Sequence, residues 1–92
     1  MKVTLKCGGY VRGFFERERE DVDLPENSTL QDLLQWIEEH RASRFPPRLW
    51  DFEQHRFRDP VVLVLNGETA SASTTPLQES EEIVVLYPVA GG

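Results

Sequence analysis

One helical stripe stands alone in a chain otherwise written in period two, and it restricts the fold more than any other feature. Leu30, Leu33, Leu34 and Ile37 fall at i, i+3, i+4 and i+7, which places four apolar side chains on one face of a helix predicted from about Thr29 to His40. Gln31, Asp32, Gln35, Glu38 and Glu39 cover the opposite face. Ser28 followed by Gln31 reads as a capping box, S-x-x-Q, that starts the helix after the Pro25-Glu26-Asn27 turn. A single amphipathic helix must bury its stripe on something, and the rest of the chain offers only strands. Val3, Leu5 and Cys7 alternate with Lys2, Thr4 and Lys6, the mark of a strand with one face in and one face out. Glu18–Leu24 reads as a second strand antiparallel to the first, with the charge run Glu16–Glu20 as a solvated edge.

After the helix, Arg41–Asp59 shows no period, and Pro46-Pro47 blocks helix propagation, so a long helix-to-strand loop is expected. Leu49, Trp50, Phe52 and Phe57 are its candidates for partial burial. Val61–Leu65 is a strand, closed by Asn66-Gly67, the pair that a type I′ hairpin turn requires. Thr69–Ser73 is a weak returning strand and Glu82–Tyr87 the final one. Ile83–Leu86 is apolar at every position, the pattern of a strand buried on both faces, so the last strand belongs in the centre of the sheet, parallel to the first. The expected class is α+β. A mixed sheet of four to five strands carries one main helix across it, which is the β-grasp arrangement. The predicted organisation is one domain, residues 1–87, and a flexible tail, residues 88–92.

Bulk properties narrow the function. With 92 residues there is room for one domain. A formal charge of −6, with only two lysines, argues against nucleic acid as a partner, because duplex affinity comes largely from cations on phosphates. The single cysteine, Cys7, forms no intrachain disulfide, and no segment has the apolar length of a signal peptide or membrane span, so a cytoplasmic location without membrane contact is expected. Cys7 on an alternating strand reads as a small buried hydrophobe. His40 and His55 read as surface residues, and no spacing of Cys or His suggests a metal site. No phosphate-binding loop, nucleophile elbow or kinase motif is present. The chain is therefore expected to be no enzyme by itself and to bind no cofactor.

The remaining signal is the end of the sequence, Pro88-Val89-Ala90-Gly91-Gly92, joined directly to the last strand. At an average glycine use of about 7%, two terminal glycines arise by chance roughly once in 200 chains. Glycine at Gly91 and Gly92 suits a terminus that must thread a narrow channel, since it lacks a Cβ and takes any φ. Pro88 ends the strand because it cannot donate a ladder hydrogen bond, and extended chain from Pro88 to Gly92 reaches roughly 17 Å.

Three blocks resemble the MoaD/ThiS sulfur carriers, the ubiquitin-like family of the molybdopterin synthase small subunit and the thiamine-pathway carrier. They are Val22-Asp23-Leu24-Pro25-Glu26-Asn27-Ser28-Thr29-Leu30-Gln31-Asp32-Leu33-Leu34, then Val62-Leu63-Val64-Leu65-Asn66-Gly67-Glu68, and Thr75-Pro76-Leu77 with Glu81 to Gly92. Three segments depart from it: Cys7–Gly13 does not match the short helical stretch common in the molybdopterin members, Arg41–Asp59 is longer than the thiamine carriers allow, and Glu79-Ser80-Glu81-Glu82 stands where the family usually has an Asp-Gly-Asp turn. The resemblance implies that Gly92 carries the reactive carboxylate, with Gly91 beside it and Tyr87, Pro88, Val89 and Ala90 as the segment a partner grips. It implies an E1-like adenylating enzyme, which uses ATP, and a sulfur-accepting synthase subunit as partners. The thiocarboxylate so formed would serve cofactor biosynthesis, molybdenum or tungsten cofactor before thiamine. A ubiquitin-related modifier joined through Gly92 and a non-covalent ubiquitin-like binding module are the alternatives.

Overall fold

The computed structural model describes residues 1–70 and 74–88. Strand β1 (Lys2–Cys7) pairs antiparallel with β2 (Arg19–Asp23), with Val3 opposite Val22 and Leu5 opposite Glu20. A 3₁₀ turn, Gly9–Phe14, joins them, pinned by Val11 and Phe15, both buried. Helix α1 (Leu30–His40) follows, then a second 3₁₀ turn at Ala42–Arg44. Two short strands, β3 (Trp50–Asp51) and β4 (Arg56–Phe57), form a separate hairpin. Strand β5 (Val62–Leu65) turns through Asn66 (φ 51°) and Gly67 (φ 83°) into β6 (Glu68–Ala70), and β7 (Glu82–Leu86) closes the sheet. The main sheet runs β2-β1-β7-β5-β6, with β7 parallel to β1 and antiparallel to β5. This is the ubiquitin-like β-grasp, with five strands and one main helix.

The helix buries Leu30, Leu33, Leu34 and Ile37, the four stripe residues, against the inward set Val3, Leu5, Cys7, Val22, Leu63, Leu65, Ile83 and Val85. Its start differs from the expected box. Thr29, not Ser28, is the N-cap, and Asp32, not Gln31, reaches back, its carboxylate accepting from the Thr29 backbone N–H at 2.7 Å. Ser28 is buried instead, its hydroxyl donating to the Pro25 carbonyl at 2.6 Å. A carboxylate at the third helical position also meets the positive end of the helix dipole, which an amide does not.

Two further expectations are corrected. Ile83–Leu86 is central and parallel to β1 but buried on one face only: Ile83 and Val85 are fully covered, while Val84 is half-exposed and Leu86 is 42% exposed. A single helix covers a single face, so the outward apolar residues meet solvent. In the long Arg41–Asp59 connection the expected partial burial holds for Leu49, Trp50 and Phe57 and fails for Phe52. Ala42, Phe45, Leu49, Trp50 and Phe57 are buried in it, and Phe45, Trp50 and Phe57 pack ring on ring with centroids 4.8 to 5.9 Å apart. Phe52, by contrast, is exposed. The returning strand spans Glu68–Ala70, and the rest of the expected Thr69–Ser73 lies outside the described residues.

At the turn before β7, Ser80 takes the left-handed conformation, φ 64°, that a glycine would adopt freely. The Glu81 side chain is buried there, accepting from the Gln78 backbone N–H at 2.8 Å and from the Asn66 amide at 3.1 Å.

Candidate functional site: the exit of the last strand

Strand β7 leaves the sheet at Leu86, which sits opposite Val62 on β5. On the face away from the helix, Val62, Val64, Val84 and Leu86 are cross-strand neighbours, with Val64 opposite Val84. They make a short apolar stripe that α1 does not cover. Charged residues border it: Glu82 pairs with Lys6 at 3.6 Å and with Arg19 at 3.3 Å. An apolar centre inside a charged border is the composition of a protein-binding patch.

Tyr87 follows the stripe, half-buried, and packs at the edge of the core. Its ring lies 4.6 Å from that of Tyr10, on the 3₁₀ turn after β1. Tyr10 meets Phe14 edge-on at 5.5 Å, and its hydroxyl accepts from the Arg48 guanidinium at 2.6 Å. Pro88 is exposed. Of the expected site residues, the structure thus places Tyr87 and Pro88 at the end of the central strand. Val89, Ala90, Gly91 and Gly92 lie outside the described residues. Tyr10 and Arg48 escaped the sequence reading. They are 38 residues apart, and no local period links either to Tyr87.

The other chemistry-bearing groups are accounted for by packing. Cys7 is buried, its thiol donating to the Arg17 carbonyl at 3.3 Å, and burial raises its pKa, so it stays a thiol. His40 and His55 are exposed, as expected. His55 Nδ1 donates to the Glu38 carboxylate at 2.8 Å, and Trp50 Nε1 donates to the same group at 3.0 Å. The Trp50 hydrogen bond lowers the Glu38 pKa; desolvation opposes it, and the hydrogen bond and charge of His55 add to the lowering. Glu38 and His55 line one side of a groove of about 630 Å³ between α1, β4 and the β5–β6 hairpin, whose lining includes neither Tyr87 nor Pro88. Among the described residues no cluster of His, Cys, Asp or Glu is placed to hold a metal ion, and no helix is long and apolar enough to cross a membrane.

Comparison with known proteins decides the family. The model of the ThiS family matches residues 10–92, nearly the whole chain and the tail with it. The chain belongs to the ThiS family. Among solved structures it is similar to SAMP1 from Haloferax volcanii, at 20% identity over all of both chains and a TM-score of 0.80. It is similar to Urm1 from Trypanosoma brucei, at 16% identity over 99% of this chain and 95% of the other, with a TM-score of 0.76. The complex of subunits 1 and 2 of the molybdopterin-converting factor from Helicobacter pylori also contains a similar chain, 19% identical over the full length of both, TM-score 0.66. Among curated proteins no sequence match was found. At these identities the solved structures speak for the fold, while the ThiS match carries the family.

Proposed function

We propose that this ThiS-family protein is a sulfur carrier whose working group is the Gly92 carboxylate. One observation carries the reading: the central strand of the sheet runs straight out at an uncovered apolar stripe into a segment that the family match follows to residue 92. A reactive terminus anchored on a central strand has a rigid root, and the stripe beside it gives a partner something to hold. The chain supplies an acyl group and a docking face. An E1-like adenylating partner supplies the ATP site, and in the cell the pair would meet in the cytoplasm.

The chemistry balances in two displacements. A Gly92 carboxylate oxygen attacks the α-phosphorus of ATP, pyrophosphate leaves, and an acyl-adenylate forms. A sulfide-level nucleophile then attacks the carbonyl carbon, AMP leaves, and a C–S bond stands where a C–O bond stood. Held by a synthase subunit, the thiocarboxylate sulfur attacks a carbon of the cofactor precursor, and water then cleaves the acyl C–S bond, leaving the sulfur on the precursor and restoring the Gly92 carboxylate. The Helicobacter pylori complex, which joins subunits 1 and 2 of molybdopterin-converting factor, supports molybdenum cofactor synthesis as the pathway over thiamine. Val62, Val64, Val84, Leu86, Tyr87 and Pro88 are the proposed contact surface, with Val89 and Ala90 threading the partner's channel and Gly91 and Gly92 at its end.

The test is ATP–pyrophosphate exchange with the activating enzyme of the same organism. The full chain should support exchange, and the chain lacking Gly92 should not, because one residue displaces the carboxylate by about 3.3–3.6 Å and reacting atoms tolerate far less. Normal exchange without Gly92 would sink the carrier reading. The likeness to SAMP1, whose fuller name includes the word modifier, favours conjugation through Gly92 as a second reading. Mass spectrometry of protein from its own host separates the two: one oxygen exchanged for sulfur marks the carrier, and lysine-linked high-mass species mark the modifier.

A further inference from the structure

Two segments far apart in the sequence, Cys7–Gly13 and Arg41–Asp59, meet at a single place. The 3₁₀ turn Gly9–Phe14 brings Tyr10 onto Tyr87, ring centroids 4.6 Å apart and tilted by 53°. The excursion after the helix brings Arg48 onto Tyr10, with its Nε 2.6 Å from the phenol oxygen and its guanidinium carbon 5.6 Å from the ring centre. Both arms have fixed bases. Val11, next to Tyr10, is wholly buried, and so is Leu49, next to Arg48. The Leu49 backbone donates to the Pro46 carbonyl at 2.9 Å and accepts from the Arg58 N–H at 2.8 Å. Yet Tyr10 is 40% exposed and Arg48 is exposed, so burial of apolar area is not their main contribution.

We infer that Tyr10 and Arg48 form a collar that holds Tyr87 and sets the direction in which the tail leaves the sheet; this rests on the carrier reading. After Leu86 the chain has no ladder partner, because β5 begins at Val62 and Val62 is already opposite Leu86. From that point only side-chain contact can orient the backbone, and the Tyr87 ring is the last group able to make it before Pro88. A tail of four more residues amplifies any error at its root. Tyr10 and Arg48 are therefore positioning residues. They touch neither ATP nor the carboxylate, and they act by keeping the tail aimed at one channel.

The test pairs a direct measurement with a kinetic one on the full chain. In Tyr10→Ala, the nuclear Overhauser contacts of the Tyr87 ring and the amide order parameter of Tyr87 should fall, while those of Leu63 and Ile83 stay as in the parent. In exchange assays kcat should drop about tenfold with KM changed less than about twofold, since orientation, not docking, is lost. Tyr10→Phe keeps the ring and should restore most of the rate, and Arg48→Gln should show a smaller defect of the same kind. An unchanged order parameter at Tyr87 in Tyr10→Ala would overturn the collar, as would a loss expressed wholly in KM. If deletion of Gly92 abolishes exchange while Tyr10→Ala exchanges normally, the collar falls and the carrier reading stands. If exchange survives without Gly92, the carrier reading falls, and the order parameters alone decide whether the collar holds the tail.

Discussion

The core of the domain is one cluster with two parts of different make. Under α1 the contacts are aliphatic: Leu33, Ile37, Val3, Leu5, Ile83 and Val85 are all essentially fully covered. Beyond the helix, in the excursion before β5, the contacts are aromatic: Phe45, Trp50 and Phe57, joined to the rest through Phe15 at 5.2 Å from Phe45. The aliphatic core is enclosed by long strands and a helix whose backbone hydrogen bonds are already made. The aromatic annex has a hairpin only two residues long on each side, so polar side chains do what a longer ladder would. Glu38 accepts from Trp50 and His55, and Asp51 accepts from the Glu53 and Gln54 backbone N–H groups at 2.9 and 3.1 Å. The difference teaches that a short excursion becomes ordered when a few rings bury enough area each to replace regular structure.

Large-to-small substitutions should give the strongest contrast. Trp50→Ala should cost about 3–5 kcal/mol and Leu34→Ala about 2–5 kcal/mol in urea unfolding. Leu34→Ala should loosen the whole domain. Trp50→Ala should loosen the annex first, so that amide exchange at Phe57 rises while that at Ile83 does not. Equal acceleration at both positions would show a single cooperative core and end the distinction.

Acid should separate the two parts next. Glu38 has a lowered pKa, chiefly through the Trp50 hydrogen bond, and Asp51 has one through the Gln54 backbone N–H. A carboxyl whose folded pKa lies below its unfolded value stabilises the fold above the unfolded value and loses that contribution as pH falls through the folded one. The ordinary values here are 4.5 for Glu38 and 3.8 for Asp51. Stability at the annex should therefore be constant near neutrality and decline from about pH 4.5 downward. Trp50 fluorescence followed through an acid titration checks this, and Glu38→Gln should flatten the upper part of the decline.

The smallest effect compares two left-handed residues, Ser80 at φ 64° before β7 and His55 at φ 58° in the annex. Glycine relieves about 1–2 kcal/mol of left-handed strain and returns about 0.5–1 kcal/mol to chain entropy. Ser80→Gly should then gain roughly half to one kcal/mol in thermal or urea unfolding. His55→Gly relieves the same strain but removes the hydrogen bond to Glu38, so it should gain nothing. A gain at His55 equal to that at Ser80 would mean the Glu38 bond contributes nothing in solution.

How much of this was legible in the sequence follows from the range of the interactions. Strands, helix stripe and Asn66-Gly67 turn are local patterns, and each appears where its period or dihedral requirement places it. The capping box slipped by one residue because Ser28 and Thr29 are both good caps, and burial of Ser28 decided between them. The one-sided burial of β7 was misread because four apolar residues in a row have no period. The outward pair, Val84 and Leu86, is apolar for a surface that α1 leaves open. In the annex, Trp50 and Phe57 can be named for burial, but their packing with Phe45 cannot be read, because the three rings share no spacing. At the site, the strand leading to the tail could be read, while Tyr10 and Arg48 could not. Their link to Tyr87 exists only once β1 and β7 lie side by side.

That side-by-side pairing has a further consequence during synthesis. β1 is made first and β7 last among the strands, yet they are central neighbours, with Thr4 opposite Glu82 and Cys7 opposite Val85. Until β7 emerges from the ribosome, β1–β2 and β5–β6 are two separate hairpins with no shared sheet, and hairpins alone are marginal in water. Folding must wait for the strand that immediately precedes the tail. A chain interrupted anywhere before residue 82 can neither close its core nor display the apolar stripe, since Val84 and Leu86 are half of it. The topology therefore acts as a proofreading device: a polypeptide that presents a finished docking face has already been translated to within a few residues of its glycines.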